Sequence, residues 1–173
     1  MADEKRNPLG PTGEQVRANV ARIREARGMT KKQLADRTAE LGRPIPPLGV
    51  SRIEAGTRRV DVDDLAALAV ALRVSPVTLL LPWTDGPADA VEVTAAGTVQ
   101  AAVAWFWADG VLPALPSNSD DEKRFILDSR PAWTRDGATL GLRRKQTSQQ
   151  DPHSGLYEWY VKTETPGAES ADG

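Results

Sequence analysis

The stretch Thr30-Lys31-Lys32-Gln33-Leu34-Ala35-Asp36-Arg37-Thr38-Ala39-Glu40-Leu41, then Gly42-Arg43-Pro44-Ile45-Pro46, then Pro47-Leu48-Gly49-Val50-Ser51-Arg52-Ile53-Glu54-Ala55-Gly56, reads as two short helices around a turn. Thr30 is placed to cap the first, and Gln33 three residues on completes a capping box. Leu34, Ala35, Thr38 and Leu41 recur behind it at helical spacing. Each residue ahead of a proline is pushed out of helical space, so the second helix can begin only near Pro46 or Pro47. Val50 and Ile53 then form its inward pair.

Working outward, the same local rules predict three more helices. Thr12 with Gln15 reads as a second capping box, Val16, Val20 and Ile23 give the first helix its apolar stripe, and Gly28 ends it. Asp61 is placed to cap a fourth helix, with Asp63 and Asp64 at the positive end of its dipole and Leu65, Leu68, Ala69 and Leu72 turned inward. Ser75-Pro76 opens a short fifth helix ending near Leu81-Pro82.

With Arg52-Ile53-Glu54-Ala55-Gly56 closing the second quoted helix, the order is that of a helix-turn-helix. Residues 12–82 resemble the XRE family, the repressors of the lambda and Cro type, and are most similar to actinobacterial-style members with a long turn. The resemblance implies that the second helix of the motif enters the major groove of double-stranded DNA while the first crosses the backbone. It assigns base reading to Pro47, Leu48 and Arg52, with Ser51 also toward the groove. An arginine such as Arg52 can pair bidentately with a guanine; Pro47 and Leu48, where family members more often carry polar residues, offer apolar contact to a thymine methyl. Thr30, Lys31, Arg58 and Arg59 are the expected phosphate contacts, which position without specifying. Plain solvated charge is the alternative for Lys31, Lys32, Arg58 and Arg59. Arg24 and Glu54 resemble the family's buried ion pair, a structural one, and Arg43 in the turn reads as an exposed loop residue, with contact to the DNA backbone as the alternative.

The net charge of −2 over 173 residues conceals an asymmetry. Residues 1–82 hold 14 Lys and Arg against 10 Asp and Glu, or +4, and residues 83–173 hold 8 against 14, or −6, which sum to −2. A basic half suits phosphate neutralisation. With 40% hydrophobic and 27% charged residues the balance is that of a globular chain. There is no cysteine, so disulfides, thiolate metal sites and catalytic thiols are excluded. Residues 1–6 lack the apolar core of a signal peptide and the aliphatic run near residues 65–72 is too short for a bilayer, so a soluble cytoplasmic protein without membrane association is expected.

The expected organisation is a flexible arm at 1–11, the helix-turn-helix domain at 12–82, a linker at 83–89, a dimerisation or effector region at 90–162 and a disordered tail at 163–173. The fold class is mainly α: a five-helix lambda-repressor-like DNA-binding bundle, then a smaller α+β or partly disordered region. Within it, Val91 to Thr94 reads as a strand or a helix lead-in, and Thr98 to Asp109 as a helix with Val99, Val103, Phe106 and Trp107 close to helical spacing. A second helix covers Asp120 to Arg130, capped by Ser119 or Asp120 with Phe125 and Ile126 inward. Thr139 to Lys145 and Leu156 to Lys162 pair as a hairpin. Trp105, Trp107, Trp133 and Trp159 are expected in a core, with a dimer interface or small effector pocket as the functional alternative.

Catalysis is not expected. The sole histidine, His153, falls in a loop, and no nucleophile arrangement, phosphate-cradling loop, metal pair or cofactor motif is visible. Two functions stand: a sequence-specific transcriptional regulator, a repressor binding an inverted-repeat operator as a homodimer, or an antitoxin-like or scaffold module whose acidic C-terminal half grips a protein partner; a small effector at the C-terminal half is a further partner to expect.

Overall fold

The computed structural model describes residues 8–115, 117–131, 134, 140–144 and 157–161. The chain divides into two compact units, Met1–Ser117 and Asn118–Gly173. The first holds the helices α1 (Pro11–Ala26), α2 (Lys31–Glu40), α3 (Pro47–Glu54), α4 (Val62–Ala71) and α5 (Pro76–Leu80), then strands β1 (Ala90–Val93) and β2 (Gly97–Gln100) and helix α6 (Ala101–Ala108). The second holds α7 (Ser119–Ser129) and an antiparallel pair, β3 (Leu140–Arg144) and β4 (Tyr157–Val161), running from Leu140 opposite Val161 to Arg144 opposite Tyr157. The protein is therefore mainly α, a five-helix bundle followed by small α and β elements.

The caps explain the helix starts. Thr30 Oγ1 accepts from the Gln33 amide at 3.1 Å, and the Thr30 amide donates to Gln33 Oε1 at 2.8 Å, the reciprocal box that satisfies two first-turn donors. Asp61 accepts from the Asp64 amide at 2.7 Å, and Ser75 from the Val77 amide at 3.3 Å. After α2, Gly42 at φ +83° reverses the chain, and the Arg43 amide donates to the Thr38 carbonyl at 3.1 Å. Thr38 Oγ1 then accepts from the Ile45 amide at 3.1 Å, so the turn is pinned where Ile45 enters the core.

That core joins all five helices. Val20, Leu34, Ile45, Val50, Ile53, Leu68, Leu72 and Leu79 are fully buried at its centre. Burying such aliphatic side chains contributes about 1.5–3 kcal/mol each before conformational entropy is counted. Asn19 is buried among them and donates to the Leu79 and Leu81 carbonyls at 3.2 and 2.8 Å, satisfying the otherwise orphaned end of α5.

Several expectations are corrected. Thr12 does not cap α1: Pro11, whose fixed φ suits a first helical position, starts the helix one residue earlier, with Gly10 at the cap. Thr12 instead exchanges hydrogen bonds with Thr94, its amide donating to Thr94 Oγ1 at 3.2 Å and its hydroxyl accepting from the Thr94 amide at 3.1 Å. Of the expected arm, residues 1–7 lie outside the described residues, whereas Pro11 is helical and the Pro8 carbonyl accepts from Arg59 at 2.6 Å.

The expected linker at 83–89 lies within the first unit, because the Asp89 and Pro87 carbonyls accept from the Ala101 and Ala102 amides at 2.8 and 2.9 Å and close the first turn of α6. Gly97 at φ +73° turns the chain so that Thr98 and Val99 pair with β1, and α6 begins only at Ala101. A second core cluster of Leu81, Val91, Val93, Ala101 and Ala104 forms there, and Leu80 packs against both clusters. Small Ala101 and Ala104 let α6 approach the hairpin closely, which turns Phe106 and Trp107 outward, 48% and 39% exposed. Trp105 is half-buried against the second cluster, and Trp83 is exposed with the Arg22 guanidinium 5.9 Å from its ring centre.

In the second unit the α7 cap is Asn118, which accepts from the Asp120 and Asp121 amides at 3.0 and 2.9 Å, one residue ahead of expected Ser119 and two ahead of Asp120. Phe125 and Ile126 are partly exposed. Trp133, the loop with His153, the Trp159 side chain and the tail at 163–173 lie outside the described residues.

Candidate nucleic-acid interface

On α3 the inward positions are Gly49, Val50 and Ile53, all buried. One to two residues away around the helix, Pro47, Leu48 and Arg52 are exposed, Leu48 at 61%, and Ser51 is half-buried. Pro47 and Ser51, and Leu48 and Arg52, are spaced i and i+4, so they line one side of the helix. The Arg52 guanidinium has no hydrogen-bond or ion-pair partner among the described residues. Lys31, at the start of α2, reaches that side: its Nζ lies 3.5 Å from Ser51 Oγ and 3.4 Å from Glu54 Oε2. Exposed Thr30 stands beside it, its hydroxyl donating to Gln33 Oε1 at 3.0 Å.

The far end of α3 is locked to α1. Arg24 Nε and Nη2 donate to the two oxygens of Glu54 at 2.5 and 3.0 Å, with both side chains under 10% exposed. The remaining Arg24 donors go to the Met29 carbonyl at 2.8 Å and to Glu25 at 2.9 Å. The hydrogen bond to Glu54 raises the Arg24 pKa against the lowering effect of burial. Arg17 donates to the Glu54 carbonyl at 3.4 Å, serving one of the helix's last acceptors.

Arg58, expected on a phosphate, and Arg43, expected exposed in the turn, both face Asp64. Arg58 Nη2 lies 2.5 Å from Asp64 Oδ2, and Arg43 Nε lies 2.9 Å from Asp64 Oδ1, with the Asp64 side chain 2% exposed between them. Arg43 also reaches Asp61 at 3.0 Å and Asp63 at 3.7 Å. A signal for this was present in the sequence: Asp64, Leu68 and Leu72 share one helical stripe, and an acidic residue on a buried stripe requires a cationic partner. The hydrogen bond to Asp64 raises the Arg43 pKa.

The Asp61 carboxyl is held below the usual carboxylate range, first by the Asp64 amide that it caps and then by Arg43. A lowered folded pKa contributes stability that is complete above the unfolded value near about 4 and is lost as pH falls through the folded value. The thermal midpoint of Asp61→Asn should therefore sit below wild type at pH 6, with the gap closing below about pH 4. A gap that widened in acid would show that Asp61 does not carry this charge.

Thr30, Lys31, Pro47, Leu48, Ser51 and Arg52 are thus gathered along α3 and the start of α2, whereas Arg58 faces Asp64 and Arg59 reaches the Pro8 carbonyl. Among the described residues no helix is long and apolar enough to cross a membrane, and no cluster of His, Asp or Glu has the makings of a metal site. The helix-turn-helix family model matches residues 20–79, from the middle of α1 through α5. No curated protein and no solved structure matches the chain. Residues 20–79 are an XRE-like helix-turn-helix domain, and the chain that carries them is a DNA-binding regulator.

Proposed function

We propose that the protein is a sequence-specific transcriptional repressor that binds an inverted-repeat operator as a homodimer, with half-sites about one helical turn apart. The observation that carries this reading is the outward side of α3, where Arg52 is exposed without a partner among the described residues while Arg24, Arg43 and Arg58 are committed to carboxylates. In this reading Arg52 pairs with a guanine, Ser51 offers a hydroxyl to a base edge, and Pro47 and Leu48 contact thymine methyls. Thr30, Lys31 and Arg59 position the domain on phosphates. The long turn at residues 41–46 fits the actinobacterial-style branch, and the site of action is the cytoplasm, where the DNA is. Chemistry is left to other proteins; this one binds.

A second reading, an antitoxin-like or scaffold module, is favoured by exposed Leu48 on α3 and by exposed Phe106 and Trp107 on α6. A partner chain that co-purified stoichiometrically and suppressed DNA binding would support it. For the repressor reading, Lys31→Ala should weaken binding to all duplexes equally and reduce the slope of log affinity against log salt by about one. Titrations of a specific and a random duplex at several salt concentrations measure this, and an unchanged slope would remove Lys31 from the phosphate contacts.

A further inference from the structure

We propose that Asp64 is a positioning residue for the recognition helix: Arg43, ahead of α3, and Arg58, behind it, converge on its carboxylate and tie both ends of the helix to α4. The inference rests on the reading of α3 as the base-contacting helix. Asp64 stands in the first turn of α4, is almost entirely buried, and has one oxygen on each arginine, at 2.9 and 2.5 Å. Gly49 makes the crossing feasible. A Cβ at that position would lie 2.6 Å from Arg58 Nη1, so the guanidinium passes against the α3 backbone where a side chain is missing.

Charge assigns Arg58 to this tie rather than to a phosphate. Arg43 and Arg58 face Asp61, Asp63 and Asp64, two cations against three carboxylates, for a local charge of −1. Drawing Arg58 away to a phosphate would leave a buried carboxylate with one partner fewer. Reading base edges requires the helix to be held within about 0.5 Å of its productive position. A carboxylate braced from both ends of α3 meets that requirement in a way that Glu54, at one end only, does not.

The test uses the full-length protein with Asp64→Asn and Arg58→Ala, titrated with a selected duplex and with a random duplex across salt. Both variants should lose roughly tenfold in the ratio of specific to random affinity, the scale of one mismatched base pair, while the salt slope for random DNA stays unchanged. If Arg58→Ala lowers the slope by about one and keeps the ratio, Arg58 is a phosphate contact and the tie is overturned. Amide hydrogen exchange in the DNA-free protein gives a second readout. Asp64→Asn should speed exchange in α3 and its flanking turns by roughly tenfold more than in α1 and α5, and no difference would overturn the tie whatever the DNA results. Arg43→Gln, which leaves the Arg58–Asp64 pair in place, should shift both readouts the same way by less, and decides the matter if Asp64→Asn does not fold. A wild-type protein that prefers no duplex would refute the base-reading assignment, while the exchange data would still judge the tie.

Discussion

Arg24→Ala should cost the protein about 3–5 kcal/mol of folding stability, measured as a fall in the urea midpoint at neutral pH. The size of the effect comes from what the substitution strands. Glu54 is 7% exposed and receives two of the Arg24 donors, so removing the arginine leaves a buried carboxylate with, among the described residues, only Lys31 at 3.4 Å. The Met29 carbonyl, which ends the turn after α1, loses its donor at the same time. Set against a typical domain stability of about 5–15 kcal/mol, this is a large fraction of the whole. The double variant Arg24→Met with Glu54→Leu should recover much of the loss, because the uncompensated charge goes with its partner. A midpoint unchanged by Arg24→Ala would mean that Glu54 is solvated in solution and that the pair does not hold α3 against α1.

Arg52→Ala carries the largest functional effect and almost no structural one. The side chain is exposed and touches no other charged group among the described residues, so the fold should keep its stability to within about 0.5 kcal/mol. Affinity for the preferred duplex should fall by about 1–3 kcal/mol, roughly ten- to a hundredfold, the scale of the bidentate guanine pairing proposed for this side chain. Affinity for random DNA should fall far less. The informative pattern is this split, together with relaxed discrimination at one base position and full discrimination elsewhere. Equal losses on specific and random duplexes would make Arg52 a phosphate contact and move base reading to other residues.

The bundle was legible in the sequence because its rules are local. Thr30 with Gln33, Asp61 with Asp64 and Ser75 ahead of Pro76 each act within four residues, and the apolar stripes of α1 to α4 follow one period. The misread places share a different physics. Thr12 looked like a cap because its only visible partner was Gln15, yet its hydrogen bonds go to Thr94, 82 residues away, in a hairpin that local patterning does not reveal. The face of α6 was misread because aromatic bulk suggested the core, whereas close packing on the hairpin selected Ala101 and Ala104. The shared partner of Arg43 and Arg58 was also missed, because Asp64 lies on another helix, α4.

The outward side of α3 was legible for the same reason as the bundle. Once Val50 and Ile53 are inward, Pro47, Leu48 and Arg52 have nowhere to point but outward. What does not follow from periodicity is the angle at which that side is presented. That depends on the long turn pinned through Thr38 and Ile45, and on the ion pairs at Glu54 and Asp64. These are contacts between elements, invisible to any single window of sequence.

The most direct test of the central claim, that α3 reads a DNA sequence, is selection of bound duplexes from a random pool by the purified full-length protein at moderate salt. The expected result is an enriched inverted repeat with half-sites about one helical turn apart, in which one guanine loses its enrichment when Arg52→Ala is used instead. A pool that stays random after repeated rounds, with protein shown to be folded by circular dichroism, would contradict it.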